Sequence, residues 1–258
     1  MEAVMHQEAA ASTRLPESAN AFDIKAYAGK LPMLSPGYIC PRCHGQGLFY
    51  DEETDTAHFC VCRPVRKALS ELRRQNLDQS ARELTFLSFD AREPWQQKML
   101  ETAMAYAASE EPGWLYLGGQ TGCGKTHLGT AAAVALALRG RDFLYMPWAV
   151  EVFTLKAMAM EEGRGRRIGE LINAPVLYID DLFKAAPTDA DKHIAFEILS
   201  ARYTRRDRPT IISSERTLAE LLEIDEALAG RIAERCGRDF ILTIPRDRRK
   251  NHRFADLL

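Results

Sequence analysis

The sequence lacks an apolar run that could cross a membrane. Its longest one, Ala131–Leu138, has eight residues, whereas a spanning helix needs about 20. An excess of charge of one sign is also missing, since the formal net charge is -2, and this excludes a surface that is basic all over and draws nucleic acid to it. The first ten residues, MEAVMHQEAA, contain no continuous apolar segment, so no secretory signal is expected. We therefore expect a cytoplasmic protein without a membrane partner.

Cysteine is scarce outside one short stretch, because four of the six cysteines lie between residues 40 and 62. In a reducing compartment, the pattern C-x-x-C followed by C-x-C indicates a metal site rather than disulfides. Zn²⁺ prefers four thiolate or imidazole ligands in tetrahedral geometry. The predicted zinc ligands are Cys40, Cys43, Cys60 and Cys62. Because a one-residue spacing is unusual, His58 could replace Cys60, and His44 is a weaker alternative.

Composition and hydrophobic patterning divide the chain into four segments. Residues 1–36 are predicted to be a flexible or weakly helical leader. Residues 37–80 are predicted to be a zinc-binding N-terminal domain, which ends in a basic helix over Arg63–Leu77. Residues 81–94 show no clear element and are predicted to be a linker. Residues 95–258 are predicted to be the second, larger domain.

Five short apolar runs occur in the last of these segments, and helix-length segments separate them. Each run is apolar on consecutive residues, as is typical of strands buried on both faces of a parallel sheet. The alternation predicts a doubly wound α/β domain. The runs cover residues 114–119, 142–147, 175–180, 209–214 and 239–244.

The first run leads into GGQTGCGKT, which satisfies the phosphate-loop pattern G-x-x-x-x-G-K-[ST] at Gly119, Gly124, Lys125 and Thr126. Backbone N–H groups and a helix N-terminus would face the phosphates there. We predict that Lys125 reaches the β- and γ-phosphates of ATP and that Thr126 ligates Mg²⁺. The other predicted nucleotide-binding residues are Gln120, Thr121, Gly122, Cys123 and His127, and Cys123 is expected to contribute only its backbone.

The third run, in VLYIDD, ends in two carboxylates at the sheet edge where open α/β folds bind ligands. Asp180 is predicted to hold Mg²⁺ directly or through water. Asp181 is predicted to polarise the attacking water. The alternative is an acidic pair that caps the next helix.

Polar residues follow the fourth run, and two arginines lie on a late helix. Ser213, Ser214 and Glu215 would stand at the sheet edge beside the γ-phosphate. Arg231 and Arg235 are four residues apart, hence on one helical face. Such a pair suits a finger that reaches into a neighbouring subunit's ATP site, the alternative being a solvated helix face.

The motifs of this chain, taken together, resemble those of AAA+ helicase loaders of the DnaC/DnaI type. The stretches that carry the resemblance are C-x-x-C…C-x-C, GGQTGCGKT, LYIDDLFK, PTIISSE, LAGRIAERC and RKNHRF. The versions from Gram-positive bacteria and their phages are the most similar, over a range from about Cys40 to the C-terminus. The resemblance implies an AAA+ core with a five-stranded parallel sheet in the order 5-1-4-3-2 and ATP at a subunit boundary. It also implies a function, the delivery of a hexameric replicative helicase onto single-stranded DNA. The same resemblance implies that the N-terminal domain is an adaptor that binds the helicase and that its zinc is structural.

By position, the resemblance places Ser214 or Glu215 at the first sensor site. It makes Arg235 the arginine finger, with Arg231 beside it, and Arg253 the second sensor. The chain departs from the commoner pattern at Glu215, because a carboxylate beside a triphosphate repels it unless a cation intervenes. It departs again in its Asp-Asp pair, where many AAA+ motors have Asp-Glu, and the shorter side chain suits a slow switch.

Three basic stretches are candidates for DNA contact, because cations beside exposed rings suit single strands. The first is Arg164, Arg166 and Arg167 near Trp148 and Phe153, the alternative being a solvated loop with core aromatics. The second is Arg246, Arg248, Arg249 and Lys250, which is equally compatible with phosphate sensing and with simple solubility. The third lies at the zinc site and comprises Arg42, Arg63, Arg66 and Lys67.

Two other functions are compatible with these motifs. A transposition helper of the IstB type would share the ATPase core but bind duplex DNA and a transposase. A nucleotide-gated adaptor would bind ATP without significant hydrolysis. An arginine finger acting in trans predicts self-association or assembly on a helicase ring.

Overall fold

The computed structural model describes residues 22–35, 37–74, 78–158 and 162–252. In these ranges, every helix falls short of the length or the apolar character that a bilayer-spanning segment requires.

The N-terminal part combines short helices with a small hairpin. Helix α1 (Ile24–Lys30) lies within the predicted leader, of which residues 1–21 and 36 are outside the described residues. Strands β1 (Leu48–Asp51) and β2 (Thr56–Phe59) pair as an antiparallel hairpin. Helix α2 (Cys62–Arg74) is the predicted basic helix, and α3 (Asp78–Glu83) follows it.

The five predicted strands form one parallel sheet. They are β3 (Trp114–Gly119), β4 (Phe143–Pro147), β5 (Val176–Asp180), β6 (Thr210–Ser214) and β7 (Ile241–Ile244). Their spatial order is β4-β5-β6-β3-β7, and reading it from β7 gives the predicted order 5-1-4-3-2. Every residue of β3, β5 and β6 is buried. The predicted fold class is therefore confirmed.

Helices cover both faces of this sheet, as expected for a doubly wound domain. They are α4 (Pro94–Ala108), α5 (Lys125–Leu138), α6 (Trp148–Ala157), α7 (Glu162–Asn173), α8 (Asp189–Tyr203), α9 (Leu218–Ile224) and α10 (Glu226–Cys236). Helix α5 is rich in alanine and buried along almost its whole length, because the sheet lies on one side of it and α2 and α4 lie on the other.

The N-terminal part packs directly on the core. Val65 and Leu69 of α2 belong to the apolar cluster around α5. The ammonium of Lys30 donates to the carbonyl oxygen of Leu138 at 3.0 Å, and Lys67 pairs with Asp142. The cysteine-rich segment is thus joined to the sheet through α2.

Candidate functional site

The phosphate loop connects β3 to α5 and depends on glycine at its ends. Gly119 and Gly124 have φ values of 111° and 95°, which side-chain-bearing residues rarely adopt. A Cβ at Gly119 would lie 2.0 Å from the carbonyl oxygen of Ile244, and one at Gly124 would lie 2.6 Å from the ring of Phe89. Backbone geometry and space both require glycine at these two positions.

Lys125 and Thr126 begin α5, so their side chains point back toward the loop. The Lys125 ammonium donates to the carbonyl oxygens of Gly119 at 2.9 Å and Gln120 at 2.7 Å. The Thr126 hydroxyl donates to Asp180 Oδ1 at 3.1 Å. The fold therefore brings together the lysine, the hydroxyl and the carboxylate that the motifs predict for phosphate and Mg²⁺.

Three more hydroxyl groups surround Asp180. Tyr145 donates to Oδ2 at 2.8 Å, Tyr178 donates to Oδ1 at 2.9 Å, and Ser213 also donates to Oδ1. Burial and then the charge of Asp180 raise the pKa of Tyr145, so its hydroxyl stays protonated. Both tyrosines lie inside apolar runs, where the sequence predicts core packing only.

Asp181 has the left-handed φ of 60°. Its N–H donates to Ser213 Oγ at 2.9 Å, and its carboxylate accepts a hydrogen bond from Lys184 at 2.6 Å. This bond and the carboxylate charge raise the pKa of Lys184. The capping alternative is excluded, because α8 is capped by Thr188.

Of the polar residues at the end of β6, Ser213 contacts the Asp180 carboxylate. Ser214 is buried, and its hydroxyl donates to the carbonyl oxygen of Leu182 rather than to Asp180. Glu215 instead lines a cleft of about 310 Å³ beside the loop. The other residues of that cleft are Gln120, Thr121, Arg246 and Asn251.

The segment that follows β7 lies on the phosphate loop. The His252 N–H donates to the carbonyl oxygen of Gly122 at 3.1 Å. The side-chain amide of Gln120 bonds to both backbone groups of Asp247. Arg253, the predicted second sensor, comes immediately after this segment and lies outside the described residues.

The predicted linker also contacts the first turn of α5, which follows the phosphate loop. The His127 ring donates to the carbonyl oxygen of Thr85 at 2.8 Å and packs edge-on against Phe89 at 5.1 Å. Burial lowers the pKa of His127. The Cys123 thiol is buried, and burial raises its pKa, consistent with a backbone role for this residue.

The two candidate finger arginines have different surroundings. Arg235 is buried, and its guanidinium donates to the carbonyl oxygens of Arg206 at 3.0 Å and Arg205 at 3.4 Å. Arg231 is partly exposed, with its guanidinium 4.8 Å from the ring of Phe196. Because a finger must reach another subunit, Arg231 fits that role better, contrary to the order of preference from the sequence.

Four cysteines form a buried metal-type centre, which we call the cysteine cluster. Their sulfur atoms lie within 4.8 Å of one another, an arrangement and donor set that fit a structural zinc site. Neither histidine alternative holds: His58 is exposed and bonds to Thr56 at 2.7 Å, and His44 is not part of the cluster. The members are Cys40, Cys43, Cys60 and Cys62.

The first predicted DNA-contact arginines are largely paired with carboxylates. Arg167 forms a two-pronged ion pair with Glu151, at 2.6 and 2.8 Å, and a further bond to Glu170 at 2.9 Å. Arg164 pairs with Glu197 at 3.1 Å. These pairs reduce the positive charge that α7 offers to a phosphate.

Of the two aromatic residues near these arginines, one is exposed and could stack on a base. Trp148 is buried against Phe183, whereas Phe153 is 76% exposed. In the second basic stretch, Arg246 pairs with Glu220 and Arg249 with Asp247.

The sheet order, the phosphate loop and the carboxylate beside it define a P-loop domain with a five-stranded parallel sheet. The model of the IstB-like ATP binding protein family matches residues 55–239, so the chain belongs to that family.

Several known proteins are similar to this chain. The phage-like element PBSX protein XkdC of Bacillus subtilis (strain 168) is 34% identical over 225 residues, which cover 80% of this chain and 82% of that protein. The crystal structure of the DnaC helicase loader superposes with a TM-score of 0.52 at 21% identity, over 66% of this chain and 99% of that one. AMPPCP-bound DnaA from Aquifex aeolicus gives 0.54 at 17% identity, over 67% and 52%. These two likenesses establish the fold.

Proposed function

We propose that the protein is an ATP-hydrolysing loader that delivers a hexameric replicative helicase onto single-stranded DNA. The observation that carries this proposal is the apolar surface around the cysteine cluster. Of the ten large apolar side chains that are exposed in the described residues, half lie between residues 39 and 61. Ile39 and Val61 are 69% and 53% exposed, and such a concentration is typical of a surface that docks a protein.

The nucleotide site supports slow hydrolysis. Thr126 and Asp180 would hold Mg²⁺, which neutralises phosphate charge when bound. Asp181 lies next to this pair and would orient the attacking water. The Asp181 carboxylate also pairs with Lys184. Because the lysine would compete with the attacking water for this carboxylate, the arrangement suits a slow switch better than a fast motor.

Subunit contact and DNA contact complete the proposal. Arg231 would act on a neighbouring ATP site, so we expect self-association or assembly on the helicase ring. On α6, Val150 and Phe153 are exposed one turn apart, and the exposed Arg166 follows on α7. Their chemistry suits a single strand that is held by stacking and charge.

Family membership favours a second candidate function. An IstB-type transposition helper would bind duplex DNA and a transposase through the same core. The apolar surface would then dock the transposase. A nucleotide-gated adaptor would be the simpler case, in which ATP binds but is not cleaved.

A helicase-loading assay separates these functions. The substrate is a closed circular single strand with an annealed oligonucleotide, on which the host's ring helicase cannot thread unaided. We expect this protein with ATP to stimulate displacement of the oligonucleotide at least tenfold. The Asp181→Asn variant should bind ATP but lose turnover and stimulation. Tight duplex binding without stimulation would support the transposition helper, and full stimulation by Asp181→Asn would support the adaptor.

A further inference from the structure

Helix α2 contributes four cations to one surface groove. Val65 and Leu69 of this helix are buried against the ATP-binding domain. Four basic residues of the same helix line a groove at the protein surface, and Leu69 contributes to the same lining. The four basic residues are Arg63, Arg66, Lys67 and Arg73.

These cations form one wall of a groove of about 670 Å³. The opposite wall comes from the loops around the cysteine cluster and from the hairpin, including Tyr38, Leu48 and Phe59. Among the described residues that line the groove, none carries a carboxylate. The groove is thus larger and more positively charged than the cleft beside the phosphate loop, which contains Glu215.

The groove also offers a stacking surface. The Phe59 ring is 68% exposed, and the Arg63 guanidinium lies 4.0 Å from its centroid. A cationic groove that follows a backbone, together with an aromatic ring beside it, is the combination that binds single strands without sequence preference.

We propose that this groove binds the sugar-phosphate backbone of single-stranded nucleic acid, with a base stacked at Phe59. This site is distinct from the one suggested on α6 and does not depend on the helicase-loading role. The apolar residues Ile39 and Val61, which do not line the groove, remain available to a protein partner. A strand held here would lie beside that partner.

Two matched double variants of the full chain test the proposal. Arg63→Gln with Lys67→Gln removes two charges from the groove, one ring contact and one surface ion pair with Asp142. Arg92→Gln with Arg206→Gln removes the same number of charges outside the groove, together with two exposed ion pairs, one with Asp90 and one with Glu234. Zinc content and thermal midpoint should equal those of the wild type in both.

The measurement is fluorescence anisotropy of a labelled oligo(dT) over a range of salt concentrations. We expect the groove variant to bind about tenfold more weakly at 0.15 M salt. Its log–log salt slope should fall by about 1.4, since each lost contact with a single strand is worth about 0.7. The control variant should keep the wild-type affinity and slope.

Three results would overturn the proposal. Wild-type binding by the groove variant would show that the groove makes no contact with the strand. Equal losses in both variants would indicate a general charge effect, and tighter binding of a duplex of the same length would contradict the preference for a single strand. If the groove variant instead lost helicase association while binding oligo(dT) normally, the groove would be a protein-docking surface.

Discussion

At the scale of single residues, two adjacent serines at the end of β6 have different contacts. Ser213 bonds to Asp180 and to the Asp181 N–H, whereas Ser214 bonds to the backbone of Leu182. We therefore expect Ser213→Ala to lower ATP turnover about tenfold or more, because a hydrogen bond to a charged group is worth about 1.5–3 kcal/mol.

The neighbouring serine provides the control for this prediction. Ser214→Ala should keep turnover within about twofold but lower the free energy of unfolding by about 1–3 kcal/mol, since it leaves a buried carbonyl without its partner. Steady-state ATPase assays and urea titrations measure the two effects. A larger loss of turnover in Ser214→Ala would support the original sensor assignment.

Lys184 competes for the carboxylate that would orient water. The pair with Asp181 is partly exposed, so its strength should be at most about 1 kcal/mol. We expect Lys184→Ala to raise the turnover number by about two- to fivefold. Lys192→Ala, which breaks a comparable pair with Asp189 on α8, should leave turnover unchanged. A fall in turnover for Lys184→Ala would mean that the lysine assists the reaction.

The sequence predicted the charged members of the site but not all of their partners. Lys125, Thr126 and Asp180 could be predicted because loop and strand-end motifs fix their positions along the chain. Tyr145 could not, because its ring is a core residue and only the neighbouring strand shows that its hydroxyl reaches Asp180. Ser213 could not be distinguished from Ser214 without knowing which way each side chain points from β6.

At the scale of elements, one buried arginine ties α8 to two other parts of the fold. The Arg202 side chain is fully buried, and burial lowers its pKa to about 9. It fixes the end of α7 and the start of β6 to α8 through five acceptors. These are the carbonyl oxygens of Leu171, Ile172, Ala174 and Pro209 and the hydroxyl oxygen of Thr210.

Loss of this guanidinium should be costly. We expect Arg202→Leu to lower the free energy of unfolding by about 3 kcal/mol or more, because several buried carbonyls lose their donor. Arg205→Gln, at an exposed position three residues on, should change it by less than about 0.5 kcal/mol. Urea denaturation measures both, and a small effect at Arg202 would show that the acceptors find other donors.

The predicted secondary-structure elements match the structure best where an element is buried on all sides, as in the strands of the parallel sheet. All five strands follow from runs of consecutive apolar residues, because both faces of the parallel sheet are covered. The contacts of segment 81–94 were harder to predict, because the segment lacks periodicity. Phe86 nevertheless enters the core, and the carbonyl oxygen of Thr85 accepts a hydrogen bond from His127. Such contacts depend on a loop crossing the domain, which local patterns do not encode.

At the scale of the whole molecule, the cysteine cluster should determine whether the N-terminal part holds together. The hairpin is short and most of its residues are exposed, so it has little core of its own. We expect about one zinc ion per chain by elemental analysis and none in Cys40→Ser. Cys236→Ser, which lies outside the cluster, should keep the zinc, and a full complement of zinc in Cys40→Ser would contradict the assignment.

The most direct test of the central claim is light scattering after size exclusion, with the protein and the host's replicative helicase mixed with and without ATP. Our account predicts a stable joint complex in ATP. The complex should be lost when Cys40 and Cys43 are both changed to Ser, and it should be retained in Cys123→Ser. Absence of association in every nucleotide state would contradict the helicase-loading function.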